Sequence, residues 1–378
     1  MDRRSVLRSV VVGTGLLALD PAFLTRPAAA ACSPNGPYGG LGSADGNGIR
    51  LPSGFTSRVV ARAGQGVGSS GYTWPSAPDG GATFALSGGG WVYAANSERG
   101  GGAGGASSIT FGPTGTITGA RRILGGTSSN CAGGATPWGT WLSCEEVDRG
   151  YVWECDVQAN APTRRAAMGR FKHEAAAVDG PRRTVYLTED ETDGCLYRFR
   201  YPTAGNLSSG TLEVARVGGS PGGTVTWAAV PDPSGASTRT RNQVSGARRF
   251  NGGEGIWYGG DVVHFATKGD NRVWRYHVTQ GTLTVVYDDG TSCNPVLTGV
   301  DNVVVARSGD VYVAEDGGNM QLVILGPDES VSPFLEVTGQ SGSEITGPAF
   351  SPDGSRLYLS SQRGGSGGIT YEVRGPFR

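Results

Sequence analysis

The chain has 378 residues, 65 of them Gly and 21 Pro, with 32 Lys and Arg against 33 Asp and Glu and a net charge of −1. Near neutrality excludes a charge-driven binder of nucleic acid or of an anionic membrane surface. Three histidines (His173, His264, His277) without an HExxH spacing argue against a histidine-rich zinc site, and two lysines (Lys172, Lys268) leave little room for lysine-based chemistry.

The chain begins with Arg3 and Arg4 in DRRSVLR, followed by an apolar run over 10–19 and the small-residue end RPAAAA. A basic, then apolar, then small-residue order over 1–31 describes a twin-arginine export signal. The apolar run is too short to span a bilayer. The junction Ala-Ala-Ala-Cys32 loosely resembles a lipoprotein cleavage site, but the usual leucine is missing. The expectation is export by the twin-arginine machinery to a periplasmic, cell-surface or extracellular location, without stable membrane insertion. Proteins that fold before export, often with a metal loaded, use this route.

Residues 32–378 carry no helix-period apolar segment and read as one β-propeller domain of short strands joined by turns, expected to be a monomer. A motif recurs six times: a short strand with an aromatic, or once His264, at its centre and polar residues at its end. The copies are WVYAANSE (91–98), TWLSCEE (140–146), VYLTED (185–190), VVHFATK (262–268), VYVAED (311–316) and LYLSSQ (357–362). Their central residues, Tyr93, Trp141, Tyr186, His264, Tyr312 and Tyr358, are spaced 48, 45, 78, 48 and 46 residues apart. Four-stranded propeller blades give spacings of about 40–50 residues. An insertion within about 203–245 accounts for the long interval. The predicted fold is all-β, a six-bladed β-propeller with a metal site in its central channel.

Upstream of five of these strands stands a polar residue in a small-residue setting: Cys131 in NCAGG, Glu174 in KHEAAAVD, Glu254 in GGEGIWY, Asn302 in VDNVVV and Glu344 in SEITGPAF. Each begins a hairpin whose first strand is predicted to be innermost and to line the channel. Carboxylates gathered at one level of a channel repel one another unless a cation neutralises them. The stretch NCAGGATPWGTWLSCEE adds a soft thiol at Cys131 to the hard carboxylates Glu145 and Glu146, a donor set suited to a metal centre. Trp138 and Trp141 read as packing residues between blades. Six cysteines, at 32, 131, 144, 155, 195 and 293, make Cys144–Cys155 and Cys195–Cys293 plausible disulfides in an exported protein, though sequence does not fix connectivity.

The segments NCAGGATPWGTWLSCEE, GRFKHEAAAVD, YLTED, GGEGIWY, VDNVVV with GDVYVAEDG, and ITGPAFSPDG together resemble the PhoX-type alkaline phosphatases, twin-arginine-exported bacterial proteins, over nearly all of 32–378. The resemblance implies hydrolysis of small phosphate monoesters at a cluster of Fe3+ and Ca2+ in the channel. It implies Cys131 as the iron-ligating thiolate and Glu174 and Glu254 as iron-binding or bridging carboxylates. Glu145, Glu146, Asp190, Asn302, Glu315 and Asp316 are the implied calcium-side candidates, with a choice open inside each adjacent acidic pair. Larger members carry an arginine two residues before the glutamate matched by Glu254, a suitable clamp for phosphate. Here that position is Gly252, and Arg248 or Arg249 is the nearest substitute. Cys131, Glu174, Glu254 and Arg249 form the expected catalytic set. A calcium-dependent propeller esterase or lactonase, and a non-catalytic metal-binding scaffold, are the competing readings. A lactonase has no need of the thiol of Cys131, and a scaffold would lose thermal stability on metal removal with no phosphatase activity to lose.

Overall fold

Aromatic and β-branched residues at alternate positions, punctuated by turn glycines, favour strands over helices. The computed structural model describes residues 36–364 and 367–378, so the export-signal reading of 1–31 lies outside the described residues. Helix is confined there to three 3-10 turns, Ala166–Met168, Thr240–Asn242 and Lys268–Asp270.

The strands form antiparallel meanders. One sheet runs Pro78–Ala85, Trp91–Ser97, Gly104–Phe111 and Ile117–Thr127, and the next runs Asn130–Ala135, Thr140–Glu145, Val152–Asp156 and Thr163–Arg164. Val300–Val305, Val311–Glu315, Gln321–Leu325 and Val331–Val337 form another, extended at its rim by Ile49–Arg50. The sheet of Ile345–Phe350, Arg356–Ser361 and Ile369–Arg374 is completed by the early strand Thr56–Arg62, which ties the two ends of the described chain together.

The remaining nine strands make one sheet rather than two separate blades. Its halves are the meander from His173–Asp179 to Thr211–Gly218 and the meander from Gly253–Gly259 to Thr282–Asp288. The extra strand Gly223–Ala229 lies in the predicted insertion and joins them, since Gly223 and Thr224 pair with Leu283 and Thr282. The arrangement is therefore propeller-like, with four sheets of four or five strands plus this nine-stranded one, in place of six separate sheets.

Six first strands follow one another around an axis: Pro78–Ala85, Asn130–Ala135, His173–Asp179, Gly253–Gly259, Val300–Val305 and Ile345–Phe350. Each touches the next and the sixth touches the first. The central aromatics of the repeat sit on the second strands, where Tyr93, Trp141, Tyr186, Tyr312 and Tyr358 are buried. Tyr93 of one sheet stacks on Tyr358 of another at 5.0 Å between ring centroids, a pairing worth about 0.5–1.5 kcal/mol beyond the burial itself. His264 occupies the equivalent position half-buried, with burial lowering its pKa to about 4.

Neither suggested disulfide forms, because Cys144, Cys155 and Cys195 are free thiols. Cys155 pairs across from Trp141 while Cys144 pairs with Val152. An odd offset of three residues puts Cys144 and Cys155 on opposite faces of their sheet.

Candidate metal centre

In all six meanders the pairing between first and second strand is broken by a bulge near the same level. A bulge turns an extra side chain out of the alternating pattern, and such irregularities gather at barrel rims and functional sites. The bulged pairs are Asp79–Gly80, Cys131–Ala132, Glu174–Ala175, Glu254–Gly255, Asp301–Asn302 and Gly347–Pro348. The first residues of five pairs converge on the axis. Four of the second residues are Gly or Ala, and the strands crowd there: a Cβ on Gly80 would lie 2.4 Å from Ala132 Cα, and one on Gly255 would lie 2.6 Å from Asn302 Cα.

A second tier comes from the residue just past each second strand: Glu98, Glu146, Asp190, Lys268, Asp316 and Gln362. Their backbone N–H groups donate to the carbonyls of Ala77, Ser129, Lys172, Gly252, Gly299 and Glu344 over 2.8–3.2 Å. This register separates the adjacent acidic pairs. Glu145 turns into its own sheet, accepting from Ser128 N at 3.1 Å and Trp153 Nε1 at 3.0 Å. Glu315 likewise accepts from Thr298 N at 2.9 Å and Gln321 N at 3.0 Å. Their neighbours Glu146 and Asp316 belong to the cluster.

Two sets of donor atoms lie within 4.8 Å of one another: those of Cys131, Glu146 and Glu174, and those of Glu174, Glu254 and Asp301. Glu174 is common to both. It is fully buried, and neither of its carboxylate oxygens has a hydrogen-bond partner among the described residues. Burial of an unpaired charged carboxylate is too costly to be incidental. Around it, Cys131 Sγ donates to Asp79 Oδ2 at 3.4 Å, and Gln362 Nε2 donates to the same oxygen at 2.6 Å. Lys172 Nζ stands 2.8 Å from both Glu146 Oε1 and Asp190 Oδ2. Lys268 Nζ stands 2.9 Å from Glu254 Oε1, off the line of a good hydrogen bond, and 3.1 Å from Asp316 Oδ2. Arg363 bridges Glu344 and Glu98.

The electrostatics agree with a site built for cations. Burial, followed by the charge of Glu254, holds the Glu174 carboxyl well above the usual range. Burial and then Asp301 do the same to Glu254, and burial and then Glu344 to Asp79. Burial pushes Asp301 to about 7 and Glu146 to about 7, while burial with Asp301 and Asp316 pushes Glu344 to about 9. Burial and then Asp79 and Glu174 push the Cys131 thiol up as well. Multivalent cations favour the ionised forms and relieve this repulsion.

Of the residues singled out from sequence, Cys131, Glu146, Glu174, Asp190, Glu254 and Asp316 come together here. Asn302 is adjacent but occupied: its Nδ2 donates to Asp301 Oδ1 at 2.8 Å, and its Oδ1 accepts from Gly347 N at 2.7 Å. Arg249 does not reach the cluster, because its guanidinium donates to Asp193 O at 2.9 Å and Asn242 Oδ1 at 3.0 Å. Arg248 is spent on Pro221 O at 3.1 Å. Sequence reasoning missed Asp79 and Asp301. Asp79 stands in PDGG at the same distance before Tyr93 as Glu344 before Tyr358, so extending the upstream search to the first repeat finds it. Beyond the crowded small residues the channel opens into an apolar cavity of about 290 Å³ lined by Ala82, Ala177, Ile256, Trp257 and Val303. The polar chemistry is thus confined to one end.

The chain matches the family described as alkaline phosphatase PhoX over residues 80–365. Among solved structures it is similar to Pseudomonas fluorescens PhoX in complex with vanadate, a transition state analogue, at 19% identity and a TM-score of 0.74, covering 89% of this chain and 97% of that one. It is also similar to a protein of unknown function from Bacteroides thetaiotaomicron, at 11% identity and a TM-score of 0.53, covering 85% and 76%. A protein provisionally named a gluconolactonase aligns at 11% identity and a TM-score of 0.51, covering 90% and 99%. At these identities the likenesses establish a shared fold. No curated protein matches the chain.

Proposed function

The chain belongs to the PhoX alkaline phosphatase family, and from that premise we propose that it hydrolyses small phosphate monoesters at a mixed Fe3+ and Ca2+ centre where its six first strands converge. The observation that carries the reading is Glu174, buried, unpartnered at both oxygens among the described residues and shared between two groups of donor atoms. The donor set suits the ions. Cys131, Glu146, Glu174 and Glu254 would hold iron, since thiolate and carboxylate together fit a transition metal. Asp190, Asp301 and Asp316, with Glu344 and Asp79 nearby, supply the hard oxygens that calcium prefers. When bound, such ions supply positive charge and Lewis acidity to a transferring phosphoryl group.

The chain's own residues do the rest. Bulges fix the carboxylates on rigid strands, so little ordering is left to the moment of reaction. The carboxylate end of the channel carries Lys172, Lys268 and Arg363, and substrate would enter from that face. Those cations lie where a phosphate dianion enters and supply the charge-assisted donors that Arg249 does not. Reading the nine-stranded sheet as two blades joined through Gly223–Ala229 gives a six-bladed propeller, and residues 1–31 give export by the twin-arginine route.

The test is metal analysis of protein purified after export from its own host, together with turnover of p-nitrophenyl phosphate with and without calcium. The expected result is bound iron and calcium-dependent release of nitrophenol. Exported protein without iron overturns the cluster. Iron without turnover of any phosphoester favours a scaffold, and turnover of lactones indifferent to Cys131→Ala favours the lactonase.

A further inference from the structure

Of the 32 Lys and Arg in the chain only two are lysines, and both are at the carboxylate cluster. Elsewhere the fold uses arginine for its ion pairs, as in Arg241 with Glu189 at 2.8 Å and Arg356 with Glu372 at 2.7 Å. The two residue types behave differently. A guanidinium locks to a carboxylate as a flat fork, whereas an ammonium is a compact charge on a flexible stem that lets go without disturbing its neighbours. Lysine therefore suits a place where the pairing has to be broken and remade.

The positions are related as well as the residue type. Lys268 is in the second tier, at the position taken in the other meanders by Glu98, Glu146, Asp190, Asp316 and Gln362. Its ammonium spans Glu254 of the first tier and Asp316 of the second. Lys172 spans Glu146 and Asp190. All four carboxylates are assigned to the metals under the proposed function, on which this inference rests. Each ammonium thus takes up charge that a metal ion would otherwise neutralise. The lysine side chains remain 37% and 29% exposed, so their heads have water to move into, whereas Glu254 is 2% exposed and has no alternative.

We propose that Lys172 and Lys268 are built-in counter-ions of the metal-free channel, that metal ions displace them, and that the displaced Lys268 ammonium is the group that meets the phosphate dianion at the mouth. A chain that folds before it acquires its metals needs such charges, because buried carboxylates without a partner oppose folding. Because Lys268 occupies a second-tier position whose equivalents surround the axis, withdrawing it from Glu254 carries it toward incoming substrate, and one side chain serves in turn for folding and for recognition.

The composition makes the test clean, since an amine-directed reagent has only Lys172, Lys268 and the α-amine to label. Protein stripped with a chelator is acetylated in a short pulse, before and after addition of a ferric salt together with calcium chloride, and the two lysyl peptides are quantified by mass spectrometry, with metal binding followed in parallel by calorimetry. The expected result is slow labelling of both lysines without metal and a several-fold rise at Lys268 once both ions bind. Iron and calcium that bind while Lys268 labelling stays level or falls overturn the displacement and leave the metal centre standing. Failure of both calcium and iron to bind removes the metal centre and this inference together. In Lys268→Gln, loss of a competing charge is expected to tighten calcium binding by about tenfold, a change of about 1.4 kcal/mol, and to raise KM for p-nitrophenyl phosphate more than it lowers kcat, with Lys268→Arg restoring KM in part. Weaker calcium binding by Lys268→Gln, or an unchanged KM, identifies the lysine as a structural prop and overturns the proposal. Should Lys268→Gln fail to fold, the labelling of the wild-type chain decides the displacement alone.

Discussion

Glu174 and Cys131 carry the most specific consequences at the scale of single residues. Replacing Glu174 by Gln keeps the shape but removes the charge shared by the two donor groups, so metal content and turnover are expected to fall by at least about 100-fold, the upper range for loss of a group that merely supports a metal ligand. Thermal stability of the chelated protein should rise, because the variant no longer buries an ionisable group whose charged form is opposed by Glu254. Elemental analysis beside a melting curve checks both halves. Cys131→Ser is expected to remove the thiolate's visible absorption with iron while leaving calcium binding in place, read by titration of the stripped protein. Arg249→Ala is expected to leave kcat and KM near wild type, since that guanidinium is engaged with Asp193 and Asn242. Residue chemistry was only partly legible in the sequence. The thiol and the glutamates declare themselves by type and setting. Which member of an acidic pair faces the channel depends on alternation along a strand and on where pairing stops. That is why Glu145 and Glu315 could not be told from Glu146 and Asp316 before the register was known.

The six bulges are what turn a row of strands into a site. An ordinary strand alternates its side chains between faces. The repeats WVYAANSE to LYLSSQ were therefore readable as half of each hairpin, while the extra residue in the partner strand was not. A bulge has no composition of its own, and it shifts the aim of the chain by one residue. This is why VDNVVV pointed to Asn302 when Asp301 is the residue turned to the axis. Asn302 has a different task, bridging Asp301 and the N–H of Gly347 in the next first strand. Asn302→Ala is expected to cost about 1–3 kcal/mol by leaving that buried N–H unpaired, measured by denaturant unfolding of the stripped protein. Gly255→Val tests the crowding. Its side chain meets backbone atoms of Asn302 and Val303 within 2.6 Å, so the first strands must part, and metal binding should be lost with the fold largely kept by circular dichroism.

Across the whole molecule, the sequence spacing revealed the repeat because one repeat is one meander, and its only long interval marked the strand Gly223–Ala229. That strand pairs with a neighbouring meander, a long-range choice that periodicity does not carry, so two predicted blades are one continuous sheet. The fold closes by pairing Thr56–Arg62 with Ile369–Arg374, which makes the carboxylate cluster a property of the closed ring and ties its charge to global stability. In the metal-free protein, Glu146 and Asp301 have their folded pKa raised to about 7 and Glu344 to about 9, with burial the leading cause. An acid whose pKa is higher folded than unfolded stabilises the fold at pH below its unfolded value of about 4, and that contribution is lost as pH rises through the folded value. The melting temperature of chelated protein should therefore fall between about pH 5 and pH 9, the window set by those shifts. Calcium binds the ionised carboxylates and competes with protons, so its stabilisation should grow over the same window, reaching about 2.7 kcal/mol at roughly 100 times Kd. Melting curves at stepped pH, with chelator and with calcium chloride, check the sign. If the chelated protein gains stability with rising pH, the cluster is neutralised from within the protein and needs no metal to stay ionised.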